Sequence, residues 1–199
     1  MRVSIADYGV GNLYSISKGL ERAGAETEVV SDMGKLLKAE CIVFPGVGAF
    51  GAAMEKLAPV LHELKDSINS GTPTLGICLG MQIMFERSEE SLGDGLGVFK
   101  GDVRKLTAPR IPQMGWNDVA WREDPLFDGV PRESQFYFAN SYVCHPSQKV
   151  SVAETDYGIR FPSAVRNGAL CGVQFHPEKS GPPGLKVLSN YISIAEGMA

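Results

Sequence analysis

Cys78 stands between two glycines in Gly76-Ile77-Cys78-Leu79-Gly80, after the apolar run 74–77 and before a stretch with helical spacing. A nucleophile in a tight strand-to-helix turn projects from the edge of a sheet, and flanking glycines give that turn room. Backbone N–H groups at a helix start favour negative charge, so a cysteine there is favoured as the thiolate, its reactive form. Such a nucleophile needs a base. His62 falls in a helical pattern and His145 precedes a proline in a polar loop, which leaves His176 as the best of three histidines. Glu178 follows two residues later, and in extended chain the two side chains share a face. A carboxylate there can orient the imidazole and stabilise imidazolium, which makes Cys78, His176 and Glu178 a candidate triad.

These residues need a scaffold that brings positions 78 and 176 together. Short β-like runs at 3–6, 28–30, 41–44 and 74–77 alternate with helical segments at 13–23, 50–69 and 81–87, the pattern of a parallel sheet covered by helices. Pro59 should interrupt the segment 50–69. From residue 92 glycine, proline and aromatic residues with short alternating runs predict antiparallel strands. Asn167-Gly168 between two β-capable runs predicts a type I′ hairpin over 163–175, whose second strand leads into His176. Residues 185–195 read as a closing helix. The expected fold is α/β, a three-layer sandwich with a mostly parallel central sheet and added antiparallel strands, as one domain over residues 1–199.

Two glycine turns invite a nucleotide-binding reading. Phe44-Pro45-Gly46-Val47-Gly48-Ala49-Phe50-Gly51 contains G-x-G-x-x-G after an apolar run. In a dinucleotide fold that fingerprint belongs to the first βαβ unit, with an acidic residue ending the next strand. Here the loop follows the third strand and the next one ends at Cys78. The other turn, Asp7-Tyr8-Gly9-Val10-Gly11-Asn12, lacks a third glycine, and Asn12 suits an N-cap for the helix that follows.

With 199 residues, 44% of them hydrophobic, the chain can build one sizeable core. A net charge of −4 provides no basic footprint for nucleic acid or an anionic membrane surface. The N-terminal stretch reads as neither signal peptide nor membrane span, so a cytoplasmic location is expected. Cys41, Cys144 and Cys171 are scattered with no C-x-x-C pair, so neither a disulfide framework nor a zinc site is expected, and they read as small buried hydrophobes.

Gly-Ile-Cys-Leu-Gly-Met-Gln together with Gln-Phe-His-Pro-Glu-Lys-Ser resembles the signature of class I glutamine amidotransferases, along essentially the whole chain. The resemblance implies a triad of Cys78, His176 and Glu178 that hydrolyses L-glutamine through a thioester, with no metal or organic cofactor. It places Gly46, Gln82, Ser141 and Tyr142 on the substrate side. The loop Pro45-Gly46-Val47-Gly48 reads as an oxyanion loop: N–H groups of Val47 and Gly48 can face the tetrahedral intermediate, and the N–H of Leu79 supplies a second donor. Glycine at 46 and 48 allows these peptides to rotate.

Asp7-Tyr8-Gly9-x-Gly11-Asn12, Pro45-Gly46-Val47-Gly48 and Met114-Gly115-Trp116-Asn117 resemble one branch, the glutaminase subunits of imidazole glycerol phosphate synthase. That branch implies a separate (β/α)₈-barrel cyclase as partner, since 199 residues hold no barrel of about 250. Asn12, Met114, Trp116, Asn117, Tyr137 and Lys179 are the expected interface residues, with Lys179 implied to meet an acidic residue of the cyclase. Gln113 and Asn140 depart from the branch, which usually carries histidine at both positions, and this bears on the details of partner contact. Glutaminases serving other synthases keep the triad but should lack these branch segments. A non-enzymatic module would need a broken triad, and a stand-alone hydrolase would work without any partner.

Overall fold

Val3 and Ile5 face one core while Ala6 faces another, the alternation of a strand covered on both sides. The structure, a computed structural model, describes residues 1–9 and 11–197; Val10 and residues 198–199 lie outside that description. The first half runs β1 (Arg2–Ala6), α1 (Leu13–Arg22), β2 (Glu26–Val30), β3 (Ile42–Phe44), α2 (Phe50–Leu57), α3 (Leu61–Asn69), β4 (Thr74–Ile77) and α4 (Leu79–Ile83). The second half begins with β5 (Arg87–Ser88), β6 (Ser91–Asp94), β7 (Gly101–Lys105), β8 (Gln113–Asp118) and β9 (Ala120–Trp121). It continues through β10 (Gln135–Asn140), β11 (Tyr142–Pro146), β12 (Ser151–Asp156), β13 (Arg160–Asn167), β14 (Leu170–Val173) and α5 (Gly181–Glu196).

The central sheet has eight strands in the order β2-β1-β3-β4-β14-β13-β12-β9. Strands β2, β1, β3, β4 and β14 are parallel, and β13, β12 and β9 continue antiparallel. Ile16 and Leu20 of α1 and Val187, Leu188 and Tyr191 of α5 cover one face together with Val43, Ile77 and Val173. Phe50, Leu57 and Leu64 of α2 and α3 cover the other with Ile42 and Phe44. This is the expected three-layer arrangement, with small sheets β10-β8 and β11-β7-β5-β6 added.

Several boundaries move. The expected helix 81–87 is the five-residue α4, because the carbonyls of Ile83, Met84 and Phe85 accept from N–H groups of residues 96–99 and the helix ladder stops. Arg87 instead opens β5. His145, expected in a loop, lies in β11 opposite Asp102 of β7. The hairpin forms one residue later than expected: Asn167 pairs with Leu170, leaving Gly168-Ala169 as the loop. Positive φ occurs at Gly168 (+63°) alone of these two, which suits a type II′ turn with glycine first rather than type I′. The closing helix starts at Gly181, with Pro182 and Pro183 in its first turn, where proline's missing N–H costs no helix bond. Pro59 interrupts the 50–69 segment as a 3₁₀ turn, and Asn12 caps α1 through Ser15 N–H at 3.1 Å.

Candidate active site

Strands β3, β4 and β14 are neighbours, and the chain beyond each supplies one part of the site. The Pro45–Gly48 loop follows β3, Cys78 follows β4, and His176 follows β14. The N–H of Cys78 donates to Val173 O at 2.7 Å, which extends the β4–β14 pairing right up to Cys78. Cys78 has φ +51° and ψ −104°, and among the described residues it is the one non-glycine with positive φ. Such a conformation costs on the order of 1–3 kcal/mol and persists only where its surroundings enforce it.

The flanking glycines allow close packing rather than unusual dihedrals. A Cβ on Gly76 would lie 2.5 Å from the Gly80 carbonyl, and one on Gly80 would lie 2.0 Å from Phe44 O. Backbone of β3, β4 and α4 therefore meets directly beside Cys78. The other three cysteines are fully buried, and burial pushes the thiol of Cys41 up to about 11 and those of Cys144 and Cys171 up as well.

His176 Nδ1 lies 2.8 Å from Glu178 Oε1, and both side chains are 1% exposed. With Nδ1 bound to the carboxylate, Nε2 is the free ring nitrogen. Burial opposes protonation of His176, but the Cys78 sulfur and the Glu178 carboxylate outweigh it and raise the imidazole to about 10. Nε2 has no hydrogen-bond partner, and the Cys78 sulfur interacts with the imidazole strongly enough to favour its protonated form. The backbone of His176 is fixed as well: its N–H donates to Tyr137 O at 2.8 Å, and Ser180 Oγ donates to its carbonyl at 2.6 Å.

The glycine loop is held at both ends. Tyr8 Oη donates to Pro45 O, and Phe50 N–H donates to Glu90 Oε2 at 2.7 Å. Between these tethers Gly46 packs against Cys78, where a Cβ would fall 2.5 Å from Ile77 O and 3.1 Å from Cys78 Cβ. Gly48 takes φ +127°, and Val47 is exposed. The N–H of Leu79 opens α4 and so has no partner within the helix.

Residues 4–194 match the class-I glutamine amidotransferase family. The chain is 44% identical over 195 residues to imidazole glycerol phosphate synthase subunit HisH of Methanocaldococcus jannaschii, covering 96% of this chain and 99% of that one. It is 47% identical over 195 residues to HisH of Pyrococcus furiosus, covering 96% and 97%. The chain belongs to the class-I glutamine amidotransferases, in the HisH branch. A solved glutamine amidotransferase structure superposes with a TM-score of 0.77 at 19% identity over 98% of both chains. The PurLQS structure from Thermotoga maritima does so with 0.73 at 19% identity over 96% of this chain and 97% of that one, a likeness of fold.

In this amidotransferase Gln82 is 5% exposed, and its Nε2 donates to Tyr142 O at 3.0 Å and Gln174 Oε1 at 3.1 Å. Ser141 and Tyr142 are half-buried where β10 passes into β11, and their carbonyls are taken by Leu106 N–H and by Gln82. Of the interface candidates, Met114 and Trp116 are exposed at 68% and 55%. The Trp116 ring stands edge-on to Tyr137 at 6.2 Å, and Lys179 Nζ sits 5.5 Å above the Tyr137 ring. Asn117 is engaged within its own chain, with Nδ2 donating to Asp156 O at 3.0 Å.

Gln113 and Asn140 face each other across β8 and β10 and are 2% and 4% exposed. They are interior positions, out of reach of a partner. His62 is exposed beside Asp66 at 2.9 Å and takes no part in the site. Sequence reasoning missed Gln174, Ser180 and Tyr8. The signal for Gln174 was a glutamine between Val173 and Phe175 in an otherwise apolar strand end; it is fully buried and donates from Nε2 to Cys78 Sγ at 3.4 Å. Among the described residues no helix is long and apolar enough to cross a membrane.

Proposed function

We propose that this chain hydrolyses L-glutamine to glutamate and ammonia through a thioester on Cys78. It passes the ammonia to a separate (β/α)₈-barrel cyclase subunit, as the glutaminase half of a heterodimeric imidazole glycerol phosphate synthase in the cytoplasm. The supporting observation is the meeting of strained Cys78, His176 and buried Glu178 at the ends of adjacent parallel strands.

With the Cys78 proton on His176, the thiolate attacks the amide carbon of glutamine. His176 then gives its proton to the amide nitrogen as the C–N bond breaks, releasing ammonia and leaving a thioester. Water passes a proton to His176 and attacks the thioester. Glutamate leaves as the C–S bond breaks, and the proton returns to sulfur. Glu178 holds the imidazole throughout. The N–H of Leu79 and an N–H of Val47 or Gly48 take the oxyanion, while Gly46, Gln82, Ser141 and Tyr142 border the substrate. Each oxyanion donor is worth roughly 10²–10³ in rate, so a loop that withholds one keeps the isolated subunit slow. A ligand-bound cyclase should accelerate it.

The deciding experiment is Cys78→Ala in the copurified complex. Glutamine-dependent synthesis should vanish while ammonia-dependent synthesis persists, and the copurifying partner should be a barrel cyclase. Full glutamine hydrolysis by Cys78→Ala would overturn the reading.

A further inference from the structure

Cys78 is 5% exposed, so a thiolate there is largely cut off from water and needs donors from the protein. The titratable groups that face it are His176, Tyr8 and Cys144. Burial first, and then the charge of Cys78, hold Tyr8 and Cys144 neutral. The Tyr8 hydroxyl is already committed to Pro45 O. Two further polar groups reach the sulfur: the Ala139 carbonyl, 3.9 Å from Sγ, which can only accept, and the side-chain amide of Gln174, whose Nε2 lies 3.4 Å from Sγ and of the two is the one that can donate to a thiolate.

The direction of that amide is dictated by its neighbours. Tyr142 O is a backbone carbonyl and can only accept, so Gln82 must present Nε2 to it, at 3.0 Å. The same Nε2 lies 3.1 Å from the Gln174 side chain, which must therefore present Oε1. A flipped Gln174 would set two donors against each other and leave an acceptor facing sulfur. Nε2 of Gln174 thus points at Cys78 in the one arrangement the chain of bonds allows. Asn140 Nδ2 adds a second donor to Tyr142 O at 3.1 Å and anchors the far end. Gln174 itself is fully buried, and its N–H is tied to Ser163 O at 2.9 Å.

We infer that Gln174 is a further catalytic residue of this site: its amide donates to the Cys78 sulfur and holds it as the thiolate, with Gln82 fixing the direction of the donor. A thiolate accepts such a bond far better than a thiol does, so the contact selects the reactive form. This rests on the reading of Cys78 as the nucleophile.

The test compares wild type, Gln174→Glu and Gln174→Met in glutamine hydrolysis and in alkylation of Cys78 by iodoacetamide across pH. Both variants should lose about tenfold to a hundredfold in kcat/KM, the scale of one hydrogen bond to a charged group. Their alkylation profiles should shift to higher pH, further for Glu, whose carboxylate opposes the thiolate. Lost activity with an unchanged alkylation profile would make Gln174 merely structural and overturn the inference. As a measurement independent of how the variants fold, the side-chain amide of Gln174 in ¹⁵N-labelled wild-type chain should shift with pH in step with alkylation. An amide resonance indifferent to that titration would also overturn the inference. Activity retained by Cys78→Ala would instead strike the reading of the nucleophile itself.

Discussion

Ser180 and His176 are joined through the backbone: the buried Ser180 hydroxyl donates to the His176 carbonyl at 2.6 Å and accepts the Tyr137 N–H at 3.0 Å. Since His176 N–H also donates to Tyr137 O at 2.8 Å, three residues close a small ring of bonds around the proposed base. Ser180→Ala leaves the Tyr137 N–H without its acceptor, while the His176 carbonyl keeps only the Lys179 N–H at 3.0 Å. It should cost about 1–3 kcal/mol in urea unfolding. It should also reduce glutamine hydrolysis, because the imidazole loses its fixed backbone; unchanged stability and rate would show that the ring does not matter.

The triad roles predict an order of severity. In the proposed mechanism His176 moves protons, a contribution typically of about 10²–10⁴ in rate, whereas Glu178 only orients it. Glu178→Gln should therefore retain more glutaminase activity than His176→Ala, read from glutamate release at saturating glutamine. The reverse order would count against these assignments.

His176 also predicts a pH dependence of stability. Its imidazole is raised from the ordinary 6.5 to about 10 in the folded chain. A group raised in this way stabilises the fold fully below its unfolded value and loses that contribution as pH climbs through the folded value. Unfolding free energy should thus decline between pH 6.5 and about 10. Urea titrations of His176→Gln over the same window should lack that part of the slope.

The two tethers of the glycine loop can be cut separately. Tyr8→Phe frees Pro45 O, and Glu90→Ala removes the acceptor that caps Phe50 N–H. Losing a helix cap typically costs about 1 kcal/mol, which is the expected effect of Glu90→Ala. Either change should speed amide exchange across residues 46–50 and alter the unstimulated rate of glutamine hydrolysis. Exchange identical to wild type in both would mean that the loop is held by something else.

The aromatic line Trp116, Tyr137, His176 leads from the surface to the proposed base, with centroid spacings of 6.2 and 6.4 Å. Trp116→Ala should weaken binding of the cyclase by more than about 1 kcal/mol, as for an interface anchor. Lys179→Ala should raise the ratio of glutamate formed to imidazole glycerol phosphate formed above one. Unchanged affinity and ratio would remove this face from the interface.

Much of this was legible in local sequence. The glycine-flanked Cys78 encodes a geometry that a few neighbouring residues determine; His176 and Glu178 do pair as expected, but through a 3₁₀ turn at Pro177–Lys179 with proline in its first turn rather than through extended chain. What local sequence cannot carry is who meets whom across the fold. The helix after Cys78 was expected to run to Arg87, but residues 96–99 capture its carbonyls, and nothing within 78–87 announces that. Gln113 and Asn140 stand out in their motifs only as departures bearing on the details of partner contact, and strand register, which pairs them in the interior, is not written in either motif. Gln174 acquires its direction from Gln82 and Tyr142, which lie far from it in the chain.

Strand β14 slots beside β4 although 98 residues separate Cys78 from His176 (176 − 78). On a ribosome adding about 5–20 residues per second, Cys78 is therefore made roughly 5–20 s before His176, its proposed base. During that interval the emerging chain carries Cys78 with no histidine to activate it and no β14 to complete the sheet. In the proposed mechanism ammonia release must wait for the chain beyond that strand, and a polypeptide that stalls before residue 176 cannot carry it out.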